Sequence, residues 1–302
     1  KFAFRFEAGK TDLLDNVDRT AQAYNEEPYV LAFNASGAGE KKSPAILVDQ
    51  ANVLVSAWKK AENRKEIILP LVQNLEGVVL GADVIKRENY WTTGDYPFSR
   101  LEEIKPEQFT LMQDKRIKTI IEVTKKLKEK PLILEAEAPF SILAALIDPM
   151  KLYLAMQTEP EKLEKILKKI VLEEAEYIKA VIQAGCRIIS LAEPTATMDM
   201  VGEKCFKECS GMATFMLLKE IEKFLSNSVV HLCGKLSSSM IAVHMAKEEE
   251  DFVTGETYLE NLIEVTKNPE IHFVGQRCIH QKKNESGKIH VMKLNLIQTK
   301  ST

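Results

Sequence analysis

Thr158-Glu159-Pro160-Glu161 opens a long amphipathic run, Gly185 closes it, and Arg187-Ile188-Ile189-Ser190-Leu191 follows at once. Leu163, Ile166, Leu167, Ile170, Ile178, Val181 and Ile182 recur at helical spacing, so residues 159–184 read as a helix with one apolar face. The opening tetrad has the form of a capping box with proline in the first turn, and the glycine is a natural stop. The apolar run after it reads as a buried strand. A long helix feeding directly into such a strand is the unit from which parallel sheets covered by helices are built.

The alternation continues in both directions. Tyr29 to Phe33, Ile67 to Leu71 and Leu132 to Leu134 are strand-like, Ile46 to Lys60 is helical, and Asn74 to Leu80 is a short connecting segment. Asp114 caps a helix carrying Ile117, Ile120, Ile121 and Leu127 on its apolar side, and Pro131 ends it. Beyond Leu191 come a helix near Cys205 to Leu225, a strand from Val229 to Leu232, a segment from Ile241 to Lys247, a helix from Tyr258 to Lys267 and a strand from Ile271 to Val274. With no glycine-rich nucleotide fingerprint, the pattern favours a (β/α)8 TIM-type barrel, full or trimmed, over an open doubly wound sheet. The tail breaks the rhythm: residues 282–287 form a polar turn and residues 288–296 alternate, which makes 271–296 a C-terminal β-hairpin. We expect one barrel domain over residues 1–302, with a helical extension over 1–27 and a strand and tail over 284–302.

Composition narrows the partners. The 302 residues are 45% hydrophobic and 28% charged with a net charge of -3, which offers no electrostatic case for nucleic acid or an anionic membrane. No run approaches the roughly 20 apolar residues of a membrane span, and the start lacks a signal-peptide pattern. Five cysteines, an odd number scattered over a long chain, suit a reducing cytoplasm rather than a disulfide framework.

The chemistry concentrates in His231-Leu232-Cys233-Gly234, at the end of the strand 229–232. An imidazole and a thiolate two residues apart at a strand mouth can grip one soft divalent metal from one side. Cys278, in Val274-Gly275-Gln276-Arg277-Cys278, ends another strand-like run and is the candidate third ligand. Three N/S ligands with a fourth position open is the pattern of a catalytic zinc site. Barrel enzymes keep their chemistry at the C-terminal ends of strands, where all three residues fall.

Four segments carry a resemblance to the uroporphyrinogen decarboxylase-like superfamily, and within it to the corrinoid-dependent methyltransferases. Leu75-Glu76-Gly77-Val78-Val79-Leu80-Gly81-Ala82-Asp83-Val84 is similar to a family segment with glutamate ahead of Leu-Gly-Ala, and residues 138–146, from Ala138-Pro139-Phe140-Ser141, resemble its Pro-Phe strand exit. Gly185 to Ala196 resembles its Ile-Ala-Asp-Pro strand, with Glu193 where Asp is usual, and residues 231–234 match its zinc motif. The resemblance implies a barrel holding Zn2+ through His231, Cys233 and Cys278, with Glu193 and Glu76 as catalytic carboxylates. It implies methyl transfer between a methyl-corrinoid and a thiol or similar acceptor. No Asp-x-His-x-x-Gly corrinoid motif occurs, so the methyl-corrinoid would be carried by a partner corrinoid protein. The spacing from Cys233 to Cys278 is shorter than in the coenzyme M enzymes. Either the barrel is trimmed and Cys278 still closes the site, or Cys278 belongs to the preceding strand and the third ligand is absent; Gly-x-x-Cys at a strand exit favours the first. The decarboxylase alternative fits less well, since residues 33–40 contain no arginine where that branch has an Arg-rich loop. A non-catalytic barrel that binds a corrinoid protein is the other alternative.

The remaining candidates read more blandly. Glu135 and Glu137 are first taken as solvated loop glutamates, Cys205 and Cys209 as one half-buried helix face, and Cys186 as a small core residue. Of the other histidines, His280 lies nearest the site.

Overall fold

The computed structural model describes residues 67–69, 74–86, 91–129, 131–279 and 287–295. The strand expected at 29–33, the helix at 46–60, the extension at 1–27, His280 and the turn at 282–286 lie outside them.

Strand β1 (Ile67–Leu69) precedes helix α1 (Leu75–Val79), and β2 (Val84–Lys86) pairs antiparallel with β3 (Trp91–Thr93). Then follow α2 (Lys115–Leu127), β4 (Leu132–Glu137), α3 (Pro139–Ala144), α4 (Pro149–Thr158), α5 (Pro160–Gln183) and β5 (Ile188–Ala192). Short turns, one of them the π-helical turn Phe206–Ser210, lead into α6 (Gly211–Glu222) and β6 (Val229–Leu232). The chain closes with α7 (Gly234–Ala242), β7 (Ala246–Phe252), α8 (Tyr258–Val265), β8 (Phe273–Gly275) and β9 (Lys288–Leu294). The main sheet has seven strands in the order β1-β4-β5-β6-β8-β9-β7. The first five are parallel, and β9 runs antiparallel to both β8 and β7. This is the strand–helix succession of a β/α barrel ending in the expected hairpin, and the sheet is open among the described residues.

The register sorts side chains into two faces, because residues paired across strands point the same way. Leu134, Ile189, Val230, Phe273 and Met292 form one row. They pack in one cluster with apolar residues of α2, α5 and α6, which bury the stripe that the sequence shows. Glu135, Ser190, His231, Val274 and Val291 form the adjacent row on the opposite face. Below it Ile133, Ile188 and Val229 meet Tyr258, Leu262 and Val265 of α8 in a second cluster. Helix α8 therefore covers the face that a closed barrel would turn inward.

Two local readings change. The capping box at Thr158 does not form: Thr158 ends α4 and its hydroxyl donates to the Leu154 carbonyl (3.1 Å), while Glu159 caps α5 without a side-chain capping bond, its carboxylate instead pairing with Lys162. The capping box that does form is Thr257 with Glu260, at the start of α8. Segment 241–247 divides between the end of α7 and the start of β7, an acidic strand that apolar patterning does not reveal. Strand β7 is held to β9 by ion pairs Lys288–Glu250 (2.6 Å) and Lys293–Glu249 (2.5 Å), with a further bond between His290 and Glu248.

Candidate active site

His231 is fully buried at the end of β6, in the middle of the polar row. Its Nε2 lies 2.9 Å from the carbonyl oxygen of Arg277, and its Nδ1 lies 3.1 Å from Ser190 Oγ. A carbonyl oxygen only accepts, so Nε2 carries a proton; in the neutral ring Nδ1 then keeps the lone pair and takes the hydrogen of the serine hydroxyl. A metal-bound imidazole uses this arrangement: one N–H anchored on a carbonyl, the other nitrogen available to the metal. Tyr258 rests edge-on against the ring, with centroids 5.8 Å apart and planes at 72°. Its own hydroxyl is buried with no hydrogen-bond partner.

Cys233 caps α7, and its backbone N–H donates to the Leu191 carbonyl (3.0 Å), which fastens it beside β5. Burial pushes its thiol up, opposed by the backbone N–H groups of Glu193 and Leu236 and reinforced by the carboxyls of Glu137 and Glu193. Without a cation nearby it is therefore a thiol at neutral pH. Cys278 lies exposed just past β8, the strand that pairs with β6. The fold thus brings His231 and Cys233 to one strand exit and leaves Cys278 at the exit of the neighbouring strand. Among the described residues, no three His, Cys, Asp or Glu side chains are gathered into a metal-holding group. The donor chemistry nonetheless fits zinc: one imidazole, whose Nδ1 faces the Ser190 hydroxyl, and two thiols at the exits of adjoining strands of the same sheet.

Glu193, immediately after β5, is fully buried and held from several sides. Its Oε1 accepts from the N–H groups of Thr195 (3.1 Å) and Ala196 (3.0 Å) and from the Ser141 hydroxyl, and its Oε2 accepts from Ser141 N–H (3.3 Å). Asn74 donates to the Ser141 carbonyl (3.1 Å) and accepts from Gly77 N–H (2.8 Å), tying α1 to the same network. Burial pushes the Glu193 carboxyl up to about 7 against those hydrogen bonds. Glu76, on α1, also rises to about 7 through burial, and its Oε1 has no partner.

Two further acids join them. Glu137 at the end of β4 and Glu174 on α5 are held well above the usual carboxylate range, first by burial and then by the neighbouring carboxyls. Both oxygens of Glu174 and the hydroxyl of Tyr177 are buried without hydrogen-bond partners among the described residues. Burial and mutual repulsion push all four carboxyls toward their neutral forms. The bland reading of Glu137 is corrected here: its Oε2 is buried, not solvated. Glu174 escaped notice altogether, although the signal was present. It interrupts the apolar stripe of α5 one turn after Ile170 and one turn before Ile178.

The other thiols behave as the sequence suggests. Cys186 is buried beneath the sheet and donates to the Leu132 and Ile188 carbonyls at 3.4 and 3.3 Å. Cys209, partly covered in the π-helical turn, is pushed up to about 12, mainly by burial.

Close packing beside the site yields one stability prediction. A methyl group at Gly275 would lie 2.6 Å from Ser237 Cβ and 3.2 Å from Met292 Cγ. Gly275→Ala should therefore destabilise the protein by about 1–3 kcal/mol in urea unfolding, as overpacking does. An unchanged midpoint would show that α7 yields freely against β8.

The family model described as uroporphyrinogen decarboxylase (URO-D) matches residues 76–254, more than half of the chain. The matched region contains Glu76, Glu193, His231 and Cys233 and stops short of Cys278. Two curated relatives from Methanosarcina barkeri, one of them from strain Fusaro / DSM 804, bear the name methylcobamide:CoM methyltransferase MtaA. Each is 23% identical over 223 residues, covering 64% of this chain. The chain spans 63% of their length. A solved methyltransferase from Methanosarcina mazei superposes with a TM-score of 0.49 and 19% identity, over 70% of this chain and 64% of its own.

Proposed function

The chain belongs to the uroporphyrinogen decarboxylase family of TIM barrels, and from that membership we propose that it is a zinc-dependent methyltransferase. In this reading it moves a methyl group between a methyl-corrinoid, carried by a separate corrinoid protein, and a thiol. The names of its relatives support transferase chemistry. The observation that carries the proposal is the state of His231. Its Nε2–H is spent on the Arg277 carbonyl, so Nδ1, which faces the Ser190 hydroxyl, would be the nitrogen that a metal takes, two residues from the thiol of Cys233. His231, Cys233 and Cys278 would hold the zinc, and the bound metal would make an incoming thiol a thiolate at neutral pH.

The protein's own groups do the rest. Burial of His231 and Glu193 keeps water from that side of the strand exit. Glu193, fixed by Ser141, Thr195 and Ala196, presents a carboxyl of set orientation next to Cys233. With a proton affinity poised near neutrality, it is suited to take the proton that the arriving thiol gives up. Glu76 holds a second such carboxyl on α1. We read the whole chain as one barrel domain working in the cytoplasm, where five thiols and a reduced corrinoid both persist. No helix of the described residues is long and apolar enough to cross a membrane.

Elemental analysis of protein purified without added metal should find about one zinc per chain. Incubation with methylcobalamin and a panel of small thiols should yield a methyl thioether and free reduced corrinoid. Absence of zinc together with absence of transfer would sink the proposal. Carbon dioxide released from uroporphyrinogen would establish the decarboxylase in its place, and binding of a corrinoid protein with no turnover would leave a non-catalytic barrel.

A further inference from the structure

Strand β8 ends at Gly275, and the next residue has an unusual backbone. Gln276 adopts φ +66°, the left-handed region, where a residue with a β-carbon is strained. Such strain persists only when the surroundings impose it. Here three hydrogen bonds do so. The Gln276 backbone N–H donates to Ser237 Oγ (2.8 Å), its Oε1 accepts from the Ser238 hydroxyl (2.8 Å), and its Nε2 donates to Glu248 Oε2 (3.1 Å). Ser237 in turn donates to the carbonyls of Cys233 (3.1 Å) and Gly234 (3.0 Å). The exit of β8 is thereby tied to the residue that caps α7.

The twist at Gln276 decides where the following carbonyl points. That carbonyl belongs to Arg277 and receives the Nε2–H of His231 at 2.9 Å. Were Gln276 in the ordinary extended region, the chain would leave β8 in line and the carbonyl would not turn back to an imidazole that sits opposite Val274. We propose that Gln276 is a positioning residue: its side-chain clamp sets the Arg277 carbonyl on His231, and so fixes the imidazole in the tautomer whose Nδ1 can bind a metal. The proposal rests on the zinc reading only for the use made of Nδ1. The tautomer itself is a property of the metal-free chain.

Two variants separate clamp from backbone. Gln276→Gly takes φ +66° without strain, so it keeps the fold while losing the side-chain anchors. Ser238→Ala, on the exposed side of α7, removes one anchor and leaves Gln276 in place. The first measurement is nitrogen NMR of histidine-labelled, metal-free protein, with thermal melting as the control for folding. Wild type should show His231 as a single Nε2–H tautomer. Gln276→Gly should show a mixture at an unaltered melting temperature, and Ser238→Ala a smaller change in the same direction. The second measurement is zinc affinity by chelator competition, expected to fall about 10–100-fold in Gln276→Gly, the size of effect that outer partners of metal-bound histidines have. A single unchanged tautomer in both variants overturns the proposal, even if zinc affinity falls. A mixed tautomer in Gln276→Gly, with no zinc bound by wild type, upholds the clamp and overturns the zinc reading instead.

Discussion

Cys233→Ala should leave the purified protein nearly free of zinc and lower methyl transfer by more than the 10–100-fold that losing an outer partner of a metal ligand costs. The thiol stands at the N-terminus of α7 beside His231, and two backbone N–H groups already favour its ionised form while burial opposes it. Bound zinc would supply a positive charge and expel the thiol proton, so zinc affinity should rise with pH in wild type. Cys278→Ala tests the other half of the ligand set. Full zinc content in that variant would remove Cys278 from the site and leave the two ligands at β6 with a carboxyl as the third. Cys205→Ser, in the helical turns leading to α6, should change nothing. Unaltered zinc in Cys233→Ala would end the assignment of this strand exit as a metal site.

Glu174→Met should raise stability at pH 8 by about 1–3 kcal/mol, the cost of keeping buried polar atoms without partners, which an apolar side chain of similar size removes. The sign follows from the direction of the shifts. Glu76 and Glu193 have pKa values raised from the ordinary 4.5 to about 7, and Glu137 and Glu174 are likewise held well above 4.5. Below pH 4.5 the folded and unfolded chains are both protonated, and the contribution of each acid is fully present. As pH rises through 7 the unfolded chain has released protons that the fold retained, so stability falls. For Glu76 alone the loss amounts to about 3 kcal/mol. The four do not add, because each proton retained eases the next. Urea unfolding of metal-free wild type at pH 5 and pH 8 should therefore show a clear fall, and Glu174→Met a flatter profile. A wild-type profile that is flat, or that rises toward pH 8, would mean that the buried acids are hydrated or paired.

Much of the fold could be read locally. Helix α5 with its glycine stop, strands β5 and β6, and the β8–β9 hairpin all carry periodicities that a single segment displays. Strand β7 does not, because its Glu248, Glu249 and Glu250 are solvent-facing or paired with residues some forty positions away. Thr158 shows the converse error. The local pattern promised a cap, but α4 runs on through the threonine and uses its hydroxyl within its own last turn. That α8 would cover the inward face was illegible too, since its amphipathic stripe suits either side of a sheet equally well.

The candidate site divides along the same line. His231 and Cys233 flank one strand end because two residues of extended backbone separate them, a distance that chain geometry alone determines. Glu76 and Glu193 were likewise legible from their segments. What sequence could not determine was the state of any of these groups. Which nitrogen of His231 carries its proton depends on the Arg277 carbonyl, forty-six residues away. Whether Glu174 is a surface acid or a buried one depends on the strands and helices that exclude water from it. Spacing along the chain is a covalent property, whereas protonation and tautomer follow from desolvation and partner geometry, and these arise only when distant segments close around the group.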